Sequence, residues 1–382
     1  MTEGFNPLIV GSFEARYERH APPERDTQQL LKEAVLGALA DAGLSLKDVD
    51  GLGVASFSLK PDHAIDLAWK LGLSPRWLME DPHGGASGLN LLGHAVRAIE
   101  AGDAETIVLC SGDHLDRAAF AELVENYNRV TREHLAPLDY AGPNALFALL
   151  TERTMVARGL GREDLGAIPV AQRAWAGRNP LAAYRDPLTM AEYLETPLLA
   201  PPLCRLDCVP VVAGADAIVL TSRPAKGPAA GVRALRSLHN PEQQEGDGLT
   251  TGFAAIADDL WDAAGARPED VEAAYLYDDY PVMVLAQALD LGLVPDGDAR
   301  RWLRETVLEA GWPLNTSGGQ LSAGQAGCAG GMHGLVEAVR QLRGKVEEER
   351  RTGAELALVS GYGMVLYRHG ASHNAAVLER VG

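Results

Sequence analysis

Three glycine-rich stretches and two tyrosines carry most of the chemistry that this chain can do. Gly84-Gly85-Ala86-Ser87-Gly88 opens a helical pattern, NTSGGQLSAGQAG runs over 315–327, and Gly361-Tyr362-Gly363 ends a late apolar run. Tight glycine loops at strand ends and helix starts turn backbone N–H groups outward, where they can hold an oxyanion. Gly85, Gly324 and Gly363 are the candidates. Tyr277 and Tyr362 each offer a phenol that can donate to an enolate oxygen or move a proton. In YLYDDY, Tyr275 and Tyr277 could equally pack on one strand face, with Tyr280 beyond them. Asp278 and Asp279 are read as solvated turn acids in preference to bases. His83, two residues before Gly85, could supply a proton. Cys328, at the start of a late helix, is the one nucleophile to name, although cysteine is often a small buried hydrophobe. His333 reads as structural and Cys110 as core.

Other chemistries find no pattern. Cys204 and Cys208 form a lone pair without a second Cys/His cluster, so no metal site is expected. No G-x-G-x-x-G follows a strand and no G-x-x-x-x-G-K-[ST] occurs, so no nucleotide fingerprint is present.

The elements that must position these residues repeat. Asp26 caps a first helix with apolar Leu30, Leu31, Ala34, Val35 and Ala38, Gly43 stops it, and a strand runs from Val49 to Ser56. The same order recurs in TGFAAIADDLWDAAG, stopped by Gly265, followed by the strand VEAAYLYDDY. The offset is 265 − 43 = 222. A second block, with Ala95-Val96-Arg97 on its helix, returns as Ala338-Val339-Arg340 at 338 − 95 = 243. One unit is therefore used twice. Strands such as TIVLCSG and LALVSG are apolar on both faces, as strands covered by helices are. The expected fold is α/β: two duplicated βαβ-type halves in a layered αβαβα arrangement. The first half comprises 1–112 and 206–225, closed by ADAIVLTS, and the second 226–382. Between them 113–205, with Pro-punctuated connectors, is expected to be an inserted lobe over the substrate.

The chain has 382 residues, 47% hydrophobic and 23% charged, with a net charge of −18. That length and composition support a large core. The negative charge argues against nucleic acid or an anionic membrane as partner. No apolar run approaches the roughly 20 residues of a membrane span, and nothing resembles a signal peptide, so a cytoplasmic location is expected.

The duplicated halves, GGASG, LDCVPVVAGADAIVLTS, NTSGGQLSAGQAG and SGYGM together resemble the thiolase superfamily, nearest its sterol-carrier-protein-type thiolases. A thiolase works through a cysteine at a helix N-terminus in a Cys-Ala-Ser-Gly-like pattern. Here that position is Gly85. The family's Gly-His-Pro matches Gly324-Gln325-Ala326, so its histidine is Gln325, and its second cysteine matches about Val359. Covalent acyl transfer through these positions is therefore excluded. Tyr277, at the end of a strand where relatives carry an oxyanion-binding side chain, and Tyr362 resemble a smaller branch, the thiolase-like aldolases of steroid side-chain degradation. That resemblance implies retro-aldol cleavage of a 3-hydroxyacyl-CoA, a homodimer, and a small zinc-ribbon/OB-fold partner protein. It implies no tightly bound cofactor, coenzyme A being part of the substrate. Arg173 and Arg178 are candidates for a CoA phosphate. The alternatives are an acyltransferase using Cys328 and a non-catalytic thiolase-like subunit that binds acyl-CoA.

Overall fold

The computed structural model describes residues 7–126, 128–138, 142–241, 246–366 and 369–382. Its strands are β1 (Leu8–Glu18), β2 (Gly51–Ala55), β3 (Trp77–Glu80), β4 (Thr106–Asp113), β5 (Leu198–Ala200), β6 (Leu203–Cys204), β7 (Ala213–Thr221), β8 (Ala229–His239), β9 (Ala273–Tyr275), β10 (Leu356–Leu366) and β11 (His369–Val381). β5 and β6 form a small hairpin; the others make one sheet in the order β3-β2-β4-β7-β1-β8-β11-β10-β9.

The duplication is visible in the strand directions. β2 lies parallel to β4, β4 antiparallel to β7, and β7 antiparallel to β1. In the second half β9 lies parallel to β10, β10 antiparallel to β11, and β11 antiparallel to β8. The first helix of each half stops at a glycine in the left-handed region, Gly43 at φ 66° and Gly265 at φ 57°. The two halves join where β1 meets β8, at Leu8↔Gly231 and Ile9↔Ala230.

Burial divides the chain into layers. Helices Thr27–Ala42 and His63–Leu71 cover one face of the first half through Leu30, Leu31, Val35 and Leu67. Helices Ser87–Glu100 and Gly330–Leu342 lie between the halves, with Leu89, Leu92, Met332 and Leu335 fully buried. Each such side chain withdrawn from water stabilises the fold by about 1.5–3 kcal/mol. Helices Phe253–Ala264 and Pro281–Asp290 form the outer layer of the second half. This is the layered arrangement expected from the sequence. Helices Pro143–Arg158 and Ala167–Ala176, from the segment between the halves, share that last core through Phe147, Leu150 and Ile168. Among the described residues no helix is long and apolar enough to cross a membrane.

Two differences from the sequence reading matter for the site. β1 has no place among the strands expected from the sequence; it is an inner strand, paired on both edges. The strand expected over VEAAYLYDDY covers only Ala273–Tyr275, since at Leu276 the chain leaves β10 to enter helix Pro281–Asp290. Tyr277, Asp278 and Asp279 therefore stand on a connection beyond the end of a parallel strand, where ligands of α/β folds commonly bind.

Candidate active site

Tyr277 is held by its backbone. Its N–H donates to Ser360 Oγ (3.2 Å), and its carbonyl accepts from Gln287 Nε2 (2.6 Å). This anchoring aims the ring at Gly85, in the turn preceding helix Ser87–Glu100. A Cβ on Gly85 would lie 2.3 Å from Tyr277 Cζ and 2.2 Å from the carbonyl oxygen of Tyr362. The ring thus fills the space that a side chain at position 85 would need. Glycine there is a steric requirement of Tyr277.

The Tyr277 hydroxyl donates to Asp279 Oδ2 (3.0 Å), and Gln325 Nε2 donates to Asp279 Oδ1 (2.5 Å) and approaches the phenol oxygen at 3.3 Å. Gln325 is fixed by main-chain bonds to Pro210 and Val212, and Gly324, at φ 121°, makes the turn that delivers it. A Cβ at Gly324 would meet the Val212 side chain at 2.8 Å. Tyr277, Asp279 and Gln325 form a closed hydrogen-bonded triangle. Burial pushes the Asp279 carboxyl up from 3.8 to about 7, against the lowering effect of the bonds from Tyr277 and Gln325. Its neighbour Asp278 turns the other way, accepts from the backbone N–H groups of Gln320 (3.1 Å) and Leu321 (3.4 Å), and is also raised by burial to about 7. Neither acid is the solvated turn residue that the sequence suggested.

The triangle stands at the polar end of a cleft enclosing about 880 Å³ out to its open mouth. Gly84, Gly85, Gly327, Tyr277, Asp279 and Gln325 line that end, and Phe57, Phe120, Leu123, Leu146, Phe147 and Val365 line much of the rest. An apolar cavity with a few convergent polar groups and a perturbed carboxylate has the character of a small-molecule site. A carboxylate poised near 7 and joined to a phenol can take a proton from a substrate hydroxyl at neutral pH.

The structure brings together Tyr277, Gln325 and Gly85 and places the other candidates around them. Tyr362 is buried away from the cleft: its hydroxyl accepts from the Gly370 N–H (2.7 Å), and its ring meets His373 edge-on at 4.8 Å. Gly363 serves close packing, since a Cβ there would lie 1.9 Å from the His83 carbonyl. His83 is bonded to Asp81 with its side chain 42% exposed, off the cleft lining. Cys328 is fully buried and its thiol is pushed well above its ordinary value, first by burial and then by Asp113 and Asp81, so it stays protonated. Its N–H donates to Asp113 (2.8 Å), a packing role. Tyr280 donates to Asn144 Oδ1 (2.6 Å) and stacks on Phe147, clamping helix Pro143–Arg158 to the second half. Arg173 bonds Ser322 Oγ and Arg178 lies over Trp175; neither lines the cleft. Asp279 is the residue that the sequence reading took for a solvated turn acid in preference to a base. The signal available was a carboxylate two residues beyond Tyr277.

Comparison with known proteins gives the family. Residues 236–380 match the family described as thiolase C-terminal domain-like. The chain is 34% identical over 347 residues to the 17-hydroxy-3-oxo-4-pregnene-20-carboxyl-CoA lyase of Mycobacterium tuberculosis, covering 84% of this chain and 87% of that one. It is 29% identical over 371 residues to the steroid side-chain-cleaving aldolase of Thermomonospora curvata, covering 89% and 91%. Among solved structures it superposes on the Ltp2-ChsH2(DUF35) aldolase with a TM-score of 0.82 at 26% identity, over 98% of both chains. The chain belongs to the thiolase superfamily, in its branch of thiolase-like carbon–carbon lyases.

Proposed function

We propose that this protein performs retro-aldol cleavage of a 3-hydroxyacyl-CoA thioester whose acyl group is a bulky apolar body such as a steroid side chain. The observation that carries this reading is the Tyr277–Asp279–Gln325 triangle standing where a thiolase would hold its nucleophile. The substrate hydroxyl gives its proton to the Tyr277 oxygen as the phenol's own proton passes to Asp279. The Cα–Cβ bond then breaks, the hydroxyl-bearing carbon leaves as a ketone or aldehyde, and the bonding pair becomes the thioester enolate. The Gly85 N–H, in the turn that leads into the positive end of helix Ser87–Glu100, is the group this reading assigns to that enolate oxygen. Protonation at Cα releases the shortened acyl-CoA and resets the relay. The apolar lining contributed by Phe120, Leu123, Leu146 and Phe147 takes the body of the substrate, which is the covering role expected of the 113–205 lobe.

An acyltransferase working through Cys328 is disfavoured by the burial of that thiol. A small zinc-ribbon/OB-fold partner, and a homodimer, belong to this reading. Leu149 and Val156, 61% and 74% exposed on helix Pro143–Arg158, with Leu198 and Leu199 on the neighbouring hairpin, offer an apolar surface that such a partner could cover. The test is turnover of a panel of β-hydroxyacyl-CoA and β-ketoacyl-CoA esters, with and without a co-expressed zinc-ribbon partner. Ketone or aldehyde release that is abolished in Tyr277→Phe and kept in Cys328→Ala supports the lyase. Free-CoA-dependent cleavage lost in Cys328→Ala would replace it by the acyltransferase.

A further inference from the structure

Away from the cleft, three buried side chains converge with lone pairs that no described residue satisfies. Glu14 on β1 and Asp216 on β7 are direct partners across the sheet, and His333 reaches them from helix Gly330–Leu342. Their side chains are 1%, 0% and 2% exposed. His333 Nδ1 lies 3.6 Å from Glu14 Oε2 and 3.9 Å from Asp216 Oδ2, and ligand atoms of all three fall within 4.8 Å of one another. Among the described residues, Glu14 Oε1, Asp216 Oδ1 and His333 Nδ1 have no hydrogen-bond partner.

Leaving three such atoms unpaired costs about 1–3 kcal/mol each, and two carboxylates facing each other across a ladder repel. Arg340, 4.0 Å from Glu14, offsets one of the two charges. The ring of His333 is oriented by Ser317 Oγ, 2.7 Å from Nε2; that oxygen also receives the Gly319 N–H at 3.2 Å. In the tautomer that donates Nε2–H to Ser317, the lone pair stands on Nδ1. A single water has two hydrogens for three acceptors, and a shared proton serves only the carboxylates. A cation serves all three: metal bonds of about 2.0–2.2 Å hold donor atoms roughly 3–4 Å apart, and one donor atom from each residue already lies within 4.8 Å of the others.

We propose that Glu14, Asp216 and His333 bind a divalent first-row metal ion, of the zinc or manganese kind, that ties the two halves of the fold together. One imidazole and two carboxylates form a mixed N/O donor set suited to such ions. Tyr17, whose hydroxyl donates to Asp216 Oδ2 (2.6 Å), and Ser317 are the outer groups that orient the ligands. The role is structural. His333 stands two residues from Gly331, where a Cβ would lie 2.5 Å from the Gly84 carbonyl, so the ion fixes the helix against which the catalytic turn packs.

The full-length chain, unfolded in guanidinium with EDTA, is refolded with zinc, with manganese, or with EDTA retained. We expect roughly one equivalent of metal per chain to survive desalting, and a melting temperature several degrees higher with metal than without. Glu14→Gln should lower metal retention at least about tenfold. The wild-type comparison stands even if that variant folds poorly. Retention below about a tenth of an equivalent, with the same melting temperature in EDTA and in metal, overturns the proposal. In that case a more stable Asp216→Asn would identify a shared proton as the occupant. Because the readouts are metal content and melting, failure here leaves the lyase reading untouched.

Discussion

Asp279→Asn separates activity from stability, and the structure sets both signs. Burial holds the Asp279 carboxyl at about 7 against an ordinary 3.8, so ionising it in the folded state costs up to about 4 kcal/mol relative to the unfolded chain. A raised carboxyl favours the folded state fully at pH below 3.8, and that advantage is lost as the pH climbs through 7. Asparagine cannot ionise. The variant should therefore match the wild type near pH 4 and exceed it at pH 8 by roughly 2–4 kcal/mol, the upper figure being reached only if the amide finds good partners in Tyr277 and Gln325. Lyase activity should move the opposite way. Without the proton acceptor, kcat/KM should fall about 10²–10⁴-fold, and the rise of the wild-type profile through pH 7 should flatten. Asp278 titrates over the same range, so the wild-type limb belongs to the pair. Guanidinium unfolding at pH 4.5 and pH 8, with kcat/KM across pH 5.5–9, checks both halves. A variant that gains nothing at pH 8, or keeps more than about a tenth of its activity, would refute the assignment of Asp279 as the strained base.

Tyr277→Phe should lower kcat/KM about 10²–10³-fold. It should also move any residual pH limb upward, because the phenol's bond lowers the Asp279 carboxyl; a limb that stays in place would argue against a direct pair. Tyr362→Phe should cost about 1–3 kcal/mol in denaturant unfolding, through the Gly370 N–H it leaves unpaired, with kcat/KM changed by no more than about threefold. Cys328→Ala should cost about 1–2 kcal/mol and retain activity, and in the native wild type this thiol should resist iodoacetamide until the chain unfolds; rapid native labelling would contradict its burial.

What the sequence could reveal depended on whether each feature is local. Gly85, Gln325 and the twofold repeat are legible because they sit in short motifs whose helix starts and glycine stops are set by neighbours in the chain. Asp279 was not legible, because its setting is non-local: Gln325 bonds it, and Phe147 and Leu146 line the same cleft, all from elements far along the chain. The length of β9 decided the rest. An alternation extended through YLYDDY puts Asp279 on a solvent face, whereas a strand that stops at Tyr275 frees the connection to turn Asp278 and Asp279 in opposite directions. Tyr362 misled for the converse reason. It lies inside β10, where a glycine-flanked phenol reads as a loop residue, but its pairing with β11 sends the ring into the core beside Phe253 and His373.

The exchange at position 85 is more than the loss of a thiol. A Cβ there meets two obstacles of different kinds, the Tyr277 ring at 2.3 Å and the main-chain oxygen of Tyr362 at 2.2 Å. A ring can rotate or be trimmed, but a carbonyl inside β10 is held by the ladder with β11, with Tyr362 opposite His373 and Gly363 opposite Ser372. Gly363 keeps the same contact tight from the other side, since a Cβ on it would strike the His83 carbonyl. The turn at Gly84–Gly85 and the strand at Gly361–Gly363 have thus closed on one another across the place of a nucleophile. The room so removed is what lets Tyr277 approach the polar end of the cleft and present its phenol to Asp279 and Gln325. On the proposed mechanism, the absence of a thiol and the presence of the Tyr277–Asp279 pair are one structural feature, because the glycine that leaves no nucleophile at position 85 is the glycine that seats the tyrosine.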